Sequence, residues 1–329
     1  MSVKYFQYTL VLFSSLLLIA GCKDDKYETP QPKGILQNDV IKRSLGPNLV
    51  GQNIEFVYAM ALPADKGKLV SATVEASIAG APTTFLEHRS FYTNSGGIDV
   101  PVTIGAPSVN NGNSTVVTFS KDTMAAALRY FYVAPEAARG KSVKFTFTAK
   151  SSNGETATYS MGPYNISKVD MKLDLKPVDG AACYISIEDL AVYTAAEAAA
   201  KANVIDLVYL YRTTPVNFNH SIIAPGTTTP AYLQGITLPA GVNRKSKILK
   251  VWALRDQQLA RAQFGVFIDD IDFQKLDLAD ATDFAVNLKA EAGIWVETAD
   301  GKYRAYVYMN SVTNGTKTAT ISIKRYAMQ

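Results

Sequence analysis

The chain has 329 residues, 47% of them hydrophobic and 19% charged, which is enough apolar material to bury the cores of about two domains. Its 33 Lys and Arg stand against 29 Asp and Glu, and the resulting net charge of +4 excludes the broad basic face of a nucleic-acid binder or polyanion receptor. Two cysteines and two histidines are too few for a disulfide framework or a histidine-rich or structural zinc centre, and no cofactor or metal is implied.

Residues 1–21 combine a basic start at Lys4, an apolar run from Leu10 to Ala20 and small residues at Ala20 and Gly21, directly before Cys22. The run is too short for a permanent spanning helix, and the pattern resembles a bacterial lipoprotein signal peptide. The resemblance implies that the mature protein begins at Cys22, acylated on its sulfur and its amine, so that lipid holds it on a membrane. Lys23-Asp24-Asp25 is similar to the export signal of surface-exposed lipoproteins in Bacteroidetes, which implies the outer face of the outer membrane. Residues 22–33, with Pro30 and Pro32 and almost nothing to bury, are expected to form a stalk. No second apolar run approaches the roughly 18 residues of a spanning helix, so the lipid is the expected anchor.

Residues 34–168 are expected to form an immunoglobulin-like β-sandwich. Ile54, Phe56, Tyr58, Met60 and Leu62 alternate with smaller or polar residues, as do Val70, Ala72, Val74, Ala76 and Ile78. Short strands are also predicted at Gly97 to Ile104 and Ser114 to Ser120. The Ala- and Met-containing run Asp122 to Tyr132 predicts a helix or helical turn between sheets. Val143, Phe145, Phe147 and Ala149 give a further strand, and Asn153-Gly154 is the turn pair of a hairpin returning through Thr156 to Met161.

Residues 169–329 restart the pattern as a second β-rich domain with at least one packed helix, giving a mainly β fold overall. Strands are predicted at Met171 to Leu175, Ala182 to Ile187, Ile205 to Arg212, Ile248 to Leu254, Gly293 to Glu297, Tyr303 to Met309 and Thr318 to Lys324. Thr194 and Glu197 form a capping box that opens a helix over about 194–203. Cys183 alternates with Ile185 and Ile187 and reads as a core thiol.

The segments Gly46 to Phe56, Tyr193 to Glu197 and Ile205 to Tyr209 resemble a family of two-domain Bacteroidetes lipoproteins of unassigned function. This resemblance implies a surface or periplasmic protein and transfers no catalytic residues.

Candidate chemistry is sparse. Asp269, Asp270, Asp272, Asp277, Asp280 and Asp283 crowd six carboxylates into a short stretch, but an EF-hand spacing is absent and interleaved Phe267, Ile268, Ile271 and Phe273 suit a strand end or helix cap. His88 and His220 lack local partners for a serine–histidine–aspartate site, and no catalytic motif occurs, so no enzymatic activity is expected. Aromatics are the remaining lead. Alternation places Arg304, Tyr306 and Tyr308 on one strand face, Tyr209 and Tyr211 form a second pair, and Trp252 and Trp295 are the two tryptophans. Exposed rings among these seven would stack on sugar C–H faces or a partner's apolar surface. The expected role is a lipid-anchored surface protein capturing glycan or nutrient beside an outer-membrane transporter. The alternatives are a structural or adhesive, fimbria-like protein that binds another envelope component and, third, a glycoside hydrolase assembled from distant carboxylates.

Overall fold

Strand periodicity organises both halves of the chain because each alternating run finds neighbours that bury the same apolar phase. The computed structural model describes residues 34–328. The expected leader, Cys22 and the stalk lie outside the described residues.

The first half supplies β1 (Gln37–Lys42), β2 (Asn53–Ala61), β3 (Leu69–Ala76), β4 (Phe85–Leu86), β5 (Arg89–Thr93) and β6 (Asp99–Thr103). It continues with β7 (Val109–Asn111), β8 (Ser114–Thr118), β9 (Ala125–Val133), β10 (Ser142–Ser151) and β11 (Thr156–Asn165). Two antiparallel sheets result, ordered β1-β2-β9-β4 and β11-β10-β3-β8-β7, with β5-β6 as a separate hairpin. Their facing sides mesh through rings, Phe56 lying 4.9 Å from Phe145 and Tyr58 5.1 Å from Phe147 between centroids. Gly154, at φ +87°, makes the expected turn between β10 and β11.

The helical expectation over Asp122 to Tyr132 is corrected. From Ala125 onward that stretch is β9, paired along its whole length with β2, and Ala126, Leu128, Tyr130 and Tyr132 enter the core. The i, i+2 spacing of the large apolar residues gives a β face, and burying it overrides the helix preference of the alanines.

The second half supplies β12 (Asp170–Leu175), β13 (Tyr184–Ser186), β14 (Ala191–Tyr193), α1 (Ala195–Ala200), β15 (Leu207–Arg212), β16 (Asn219–Ile223) and β17 (Lys247–Val251). After these come α2 (Gln257–Ala260), α3 (Asp270–Lys275), β18 (Phe284–Leu288), β19 (Gly293–Glu297), β20 (Tyr303–Thr313) and β21 (Thr318–Ala327). The sheets are β12-β21-β20-β19-β17 and β14-β13-β15-β16-β18, a second sandwich, so the chain is mainly β throughout. Thr194 and Glu197 cap α1 reciprocally, as their spacing predicts.

One feature breaks the two-layer plan. Between β17 and β18 the chain makes a long excursion, residues 252–283, that covers the outer side of the β12-β21-β20-β19-β17 sheet. Leu259, Ile268, Phe273 and Leu278 from the excursion pack with Trp295, Tyr306, Tyr308 and Tyr326 from the sheet. At its centre Lys324 and Asp256 form an ion pair of 2.7 Å with both side chains fully buried. Asp256 also caps α2 by accepting from the Leu259 N–H, and it accepts from the Ile268 N–H, while Lys324 donates to the Ile268 carbonyl. The acidic run acts the same way: Asp269 caps α3 in a capping box with Asp272, and Asp277 accepts from the Ala279 N–H.

The excursion also joins the two sandwiches, which lie in one compact unit from Leu36 onward. Asp270 accepts from the Ser167 hydroxyl and the Lys168 N–H, and Gln258 donates to the Pro47 carbonyl. Gly46, at φ +75°, has the Phe267 ring where a side chain would start, 2.3 Å from an ideal Cβ, so only glycine fits.

Replacing Asp256 by Ala leaves the Lys324 ammonium buried without its counter-ion and removes three hydrogen bonds. Urea unfolding is expected to show a loss of about 3–5 kcal/mol, and a loss below about 1 kcal/mol would refute this account of the pair.

Candidate functional site

At one end of the second sandwich the two sheets part around a cavity of about 370 Å³. Strand β16 begins there with Asn219 and His220, β18 ends there with Asn287 and Leu288, Lys289 follows, and the β20–β21 hairpin brings Val312 and Asn314 from the opposite sheet. The register pairs His220 with Tyr211 of β15 on one side and Leu288 on the other.

His220 is buried, and its two ring nitrogens are both engaged. Tyr209 Oη lies 2.5 Å from Nδ1 and Asn314 Oδ1 lies 2.9 Å from Nε2. Burial pushes the Tyr209 phenol well above its ordinary pKa, so it keeps its proton and donates to Nδ1. The ring proton therefore sits on Nε2 and is donated to Asn314. Burial also holds the imidazole pKa below 6.5, which keeps the ring neutral at pH 7. With its oxygen engaged, Asn314 offers its amide nitrogen to the cavity as a donor.

Asn219 and Asn287 face each other across the mouth, Asn219 Nδ2 donating to Asn287 Oδ1 at 3.0 Å. Both occupy the left-handed region, with φ of +50° and +54°, as asparagine tolerates better than most residues. That pairing leaves the Asn219 oxygen as an acceptor and the Asn287 nitrogen as a donor. Ala253 and Glu291, at φ +59° and +68°, are strained at the same end.

An exposed ring adjoins this polar mouth. Lys250 places its ammonium 4.3 Å from the Trp252 ring centroid and donates to the Val286 carbonyl at 2.5 Å, beside Asn287. Trp252 is 55% exposed. The indole does not itself line the cavity; a cation–π contact ties it to Lys250, whose carbonyl partners border the mouth, and it remains accessible to solvent.

A larger cavity of about 510 Å³ lies between the sandwiches, lined by Glu136, Arg139, Lys168, Asp170, Tyr303 and Arg325. Apart from Lys168, which has no ion pair among the described residues, its charges satisfy one another. Asp170 is shared between Arg139, at 2.7 Å, and Arg325, while Arg139 also pairs with Glu136 and Arg325 donates to the Glu188 carbonyl. The Arg139 hydrogen bond holds the Glu136 carboxyl below its ordinary pKa, so it stays ionised and is a poor proton donor. This is a clasp between domains. Among the described residues no group of three or more His, Cys, Asp or Glu could hold a metal ion, and no helix is long and apolar enough to cross a membrane.

The family model described as Domain of unknown function (DUF4466) matches residues 33–166, and one described as Domain of unknown function (DUF8576) matches residues 167–328. The crystal structure of a DUF4466 family protein from Parabacteroides merdae is 46% identical to this chain. The match covers 90% of this chain and 100% of that one, with a TM-score of 0.84. The chain belongs to the DUF4466 family. Its resemblance to a Bacteroidetes family of unassigned function agrees with that membership. The major pilin subunit of Bacillus cereus is 8% identical over 86% of this chain and 63% of that one, with a TM-score of 0.28. A fragment of the major pilin of Streptococcus agalactiae is 11% identical over 83% and 84%, with a TM-score of 0.29. Both backbones differ too much from this DUF4466 protein to inform its reading. No curated protein matches the chain.

The structure separates the seven expected ligand-binding residues. Alternation does put Arg304, Tyr306 and Tyr308 on one face, but that face lies beneath residues 252–283, so the expected exposed platform is corrected. Tyr306 and Tyr308 are buried, as is Trp295, whose ring packs 4.7 Å from Tyr306. Tyr306 donates its hydroxyl to the Leu254 carbonyl, and Arg304 is tied to Glu297 at 3.0 Å and to the Phe273 carbonyl at 2.6 Å. Tyr209 is buried behind His220, with Tyr211 half-buried against the same imidazole at 4.5 Å. Trp252 is the member of the set whose ring is exposed to solvent. Asn219, Asn287, Asn314, Lys250 and Lys289 escape sequence reasoning because they come from separate segments with no shared spacing.

The His220 tautomer has a measurable consequence. Its folded-state pKa is depressed, so the unfolded chain binds the proton more readily; the stability from the neutral ring is complete above pH 6.5 and is lost as pH falls through the depressed value. An NMR titration of the two imidazoles, assigned with a His88→Asn variant, is expected to place His220 below 6.5. A value at or above that figure would contradict the Tyr209–His220–Asn314 chain.

Proposed function

We propose that this DUF4466 protein is a lipid-anchored surface binding protein that captures a saccharide in the cavity at the end of its second sandwich. The observation that carries the reading is the exposed Trp252 ring, joined through Lys250 to a mouth of amide donors and acceptors. An indole stacks on the C–H face of a sugar ring, and Asn219, Asn287 and Asn314 supply the hydrogen bonds that fix hydroxyl positions. The volume falls within the range of about 300–1,000 Å³ usual for small-molecule sites.

Capture is favoured over hydrolysis because glycoside cleavage uses two carboxylates flanking the bond, and the cavity lining contains none. The lipobox at Cys22 and the Lys23-Asp24-Asp25 sequence support a tether on the outer membrane facing outward, where a captured saccharide would pass to a transporter. A protein partner is the second reading, favoured by Tyr92 and Ile98, which expose 55% and 64% of their surface on the β5–β6 hairpin.

A glycan array followed by calorimetry on the detergent-solubilised protein tests the proposal. Trp252→Ala is expected to weaken saccharide binding at least about fivefold, consistent with an aromatic contact worth roughly 1 kcal/mol or more, without lowering the melting temperature. Trp295→Ala, a core truncation, should destabilise the fold by about 3–5 kcal/mol. Binding to no saccharide would sink the capture reading and direct attention to the hairpin.

The anchor is tested separately. Cys22→Ser should move the protein from the membrane pellet to the soluble fraction and abolish incorporation of labelled palmitate. Retention in the pellet would rule out lipid as the tether.

A further inference from the structure

The cavity described above is unevenly charged. Lys289 lines it and is exposed, and its ammonium has no ion pair among the described residues. Lys250 stands nearby, bonded to the carbonyls of Val286 and Asn287 and lying over Trp252, again without a carboxylate partner. No acid lines the cavity, and two on neighbouring segments are already engaged. Glu291 pairs with Arg255 at 3.5 Å, and Asp179, almost wholly buried, pairs with Arg212. The remaining polar groups on the space are two amide nitrogens, Asn287 Nδ2 and Asn314 Nδ2, and one acceptor, Asn219 Oδ1, and His220 is neutral. A neutral sugar would use the amides and the ring but would leave two cations facing each other without compensation.

Resting on the capture reading, we propose that the saccharide bound here carries an anionic substituent, a carboxylate or a sulfate, which pairs with Lys289 while the sugar ring lies on Trp252. The amide nitrogens of Asn287 and Asn314 complete the coordination of the anionic oxygens, since an acceptor-only group suits a site rich in donors. Lys250 keeps its carbonyl partners and adds long-range attraction. Burial and the neighbouring Lys289 both depress the Lys250 pKa, and a bound anion would relieve the second of these. The low net charge of the whole chain is compatible with this, because the attraction is confined to one mouth and requires no basic face.

Calorimetry on the full-length protein in detergent would compare galacturonic acid oligosaccharides with their methyl esters, and galactose 6-sulfate with galactose. The first pair reads a carboxylate and the second a sulfate. At least one anionic probe is expected to bind about tenfold or more tightly than its neutral counterpart, in keeping with a charge-assisted hydrogen bond, and to weaken as salt is raised. Lys289→Gln should remove that preference, with an unchanged melting temperature showing that the fold is intact. Equal binding of charged and neutral members, unaffected by Lys289→Gln, would overturn the anionic assignment and leave saccharide capture standing. Binding of neither charged nor neutral probes in both series, together with an empty glycan array, would overturn both.

Discussion

The buried pair of Lys324 and Asp256 is the interaction on which the surface chemistry of the second sandwich depends. A charge pair with no solvent exposure is costly unless further hydrogen bonds support both charges, and here the carboxylate takes two backbone N–H groups while the ammonium takes a carbonyl. These bonds run between strand β21 and both ends of a loop that returns from Asp256 to Ile268. They fix the excursion over one face of a sheet that would otherwise present Trp295, Tyr306 and Tyr308 to water. Apolar packing of Phe273 and Leu259 supplies the burial, and the ion pair supplies the register.

That cover decides which aromatic residue can meet a ligand. Tyr306 is held so tightly beneath it that Gly293 on the neighbouring strand has no room for a side chain: an ideal Cβ would lie 1.9 Å from the Tyr306 hydroxyl oxygen. Trp252 escapes because it sits where the chain leaves β17, before the excursion turns back over the sheet. The same departure brings Lys250 against the backbone of β18 and links the indole to the mouth formed by Asn219 and Asn287. Cover and exposed ring are therefore consequences of one long insertion between two strands, while the cavity is built by β16, β18 and the β20–β21 hairpin.

Behind the mouth, the Tyr209–His220–Asn314 chain holds the β20–β21 hairpin against the opposite sheet. The ring lies between Tyr211 and Leu288 of the adjoining strands, so an imidazole that sequence reading could weigh only as a catalytic or metal-binding group serves to orient an asparagine. The left-handed asparagines follow from the same geometry. They turn the chain at strand ends where a side-chain amide can bond across the gap, and the strain falls where access is open.

Much of the architecture is legible in the sequence because strand burial and helix capping are local properties. Alternating runs such as Ile54 to Leu62 and Val143 to Ala149 state their buried face directly, Asn153-Gly154 states its turn, and Thr194 with Glu197 states a helix start. The β9 run was misleading for a physical reason: alanine favours a helix in isolation, whereas Leu128, Tyr130 and Tyr132 find their partners only across a sheet. The alternation of β20 identifies its aromatic face and leaves its cover unstated, since alternation says which side a residue occupies and nothing about what covers that side. By itself, then, the sequence determined a mainly β chain, its strand phases and its caps. Tertiary structure alone decided that Trp252 stays open while Tyr306 is shut, and that three asparagines from distant segments share one cavity, because coverage and convergence depend on contacts between residues far apart in the chain.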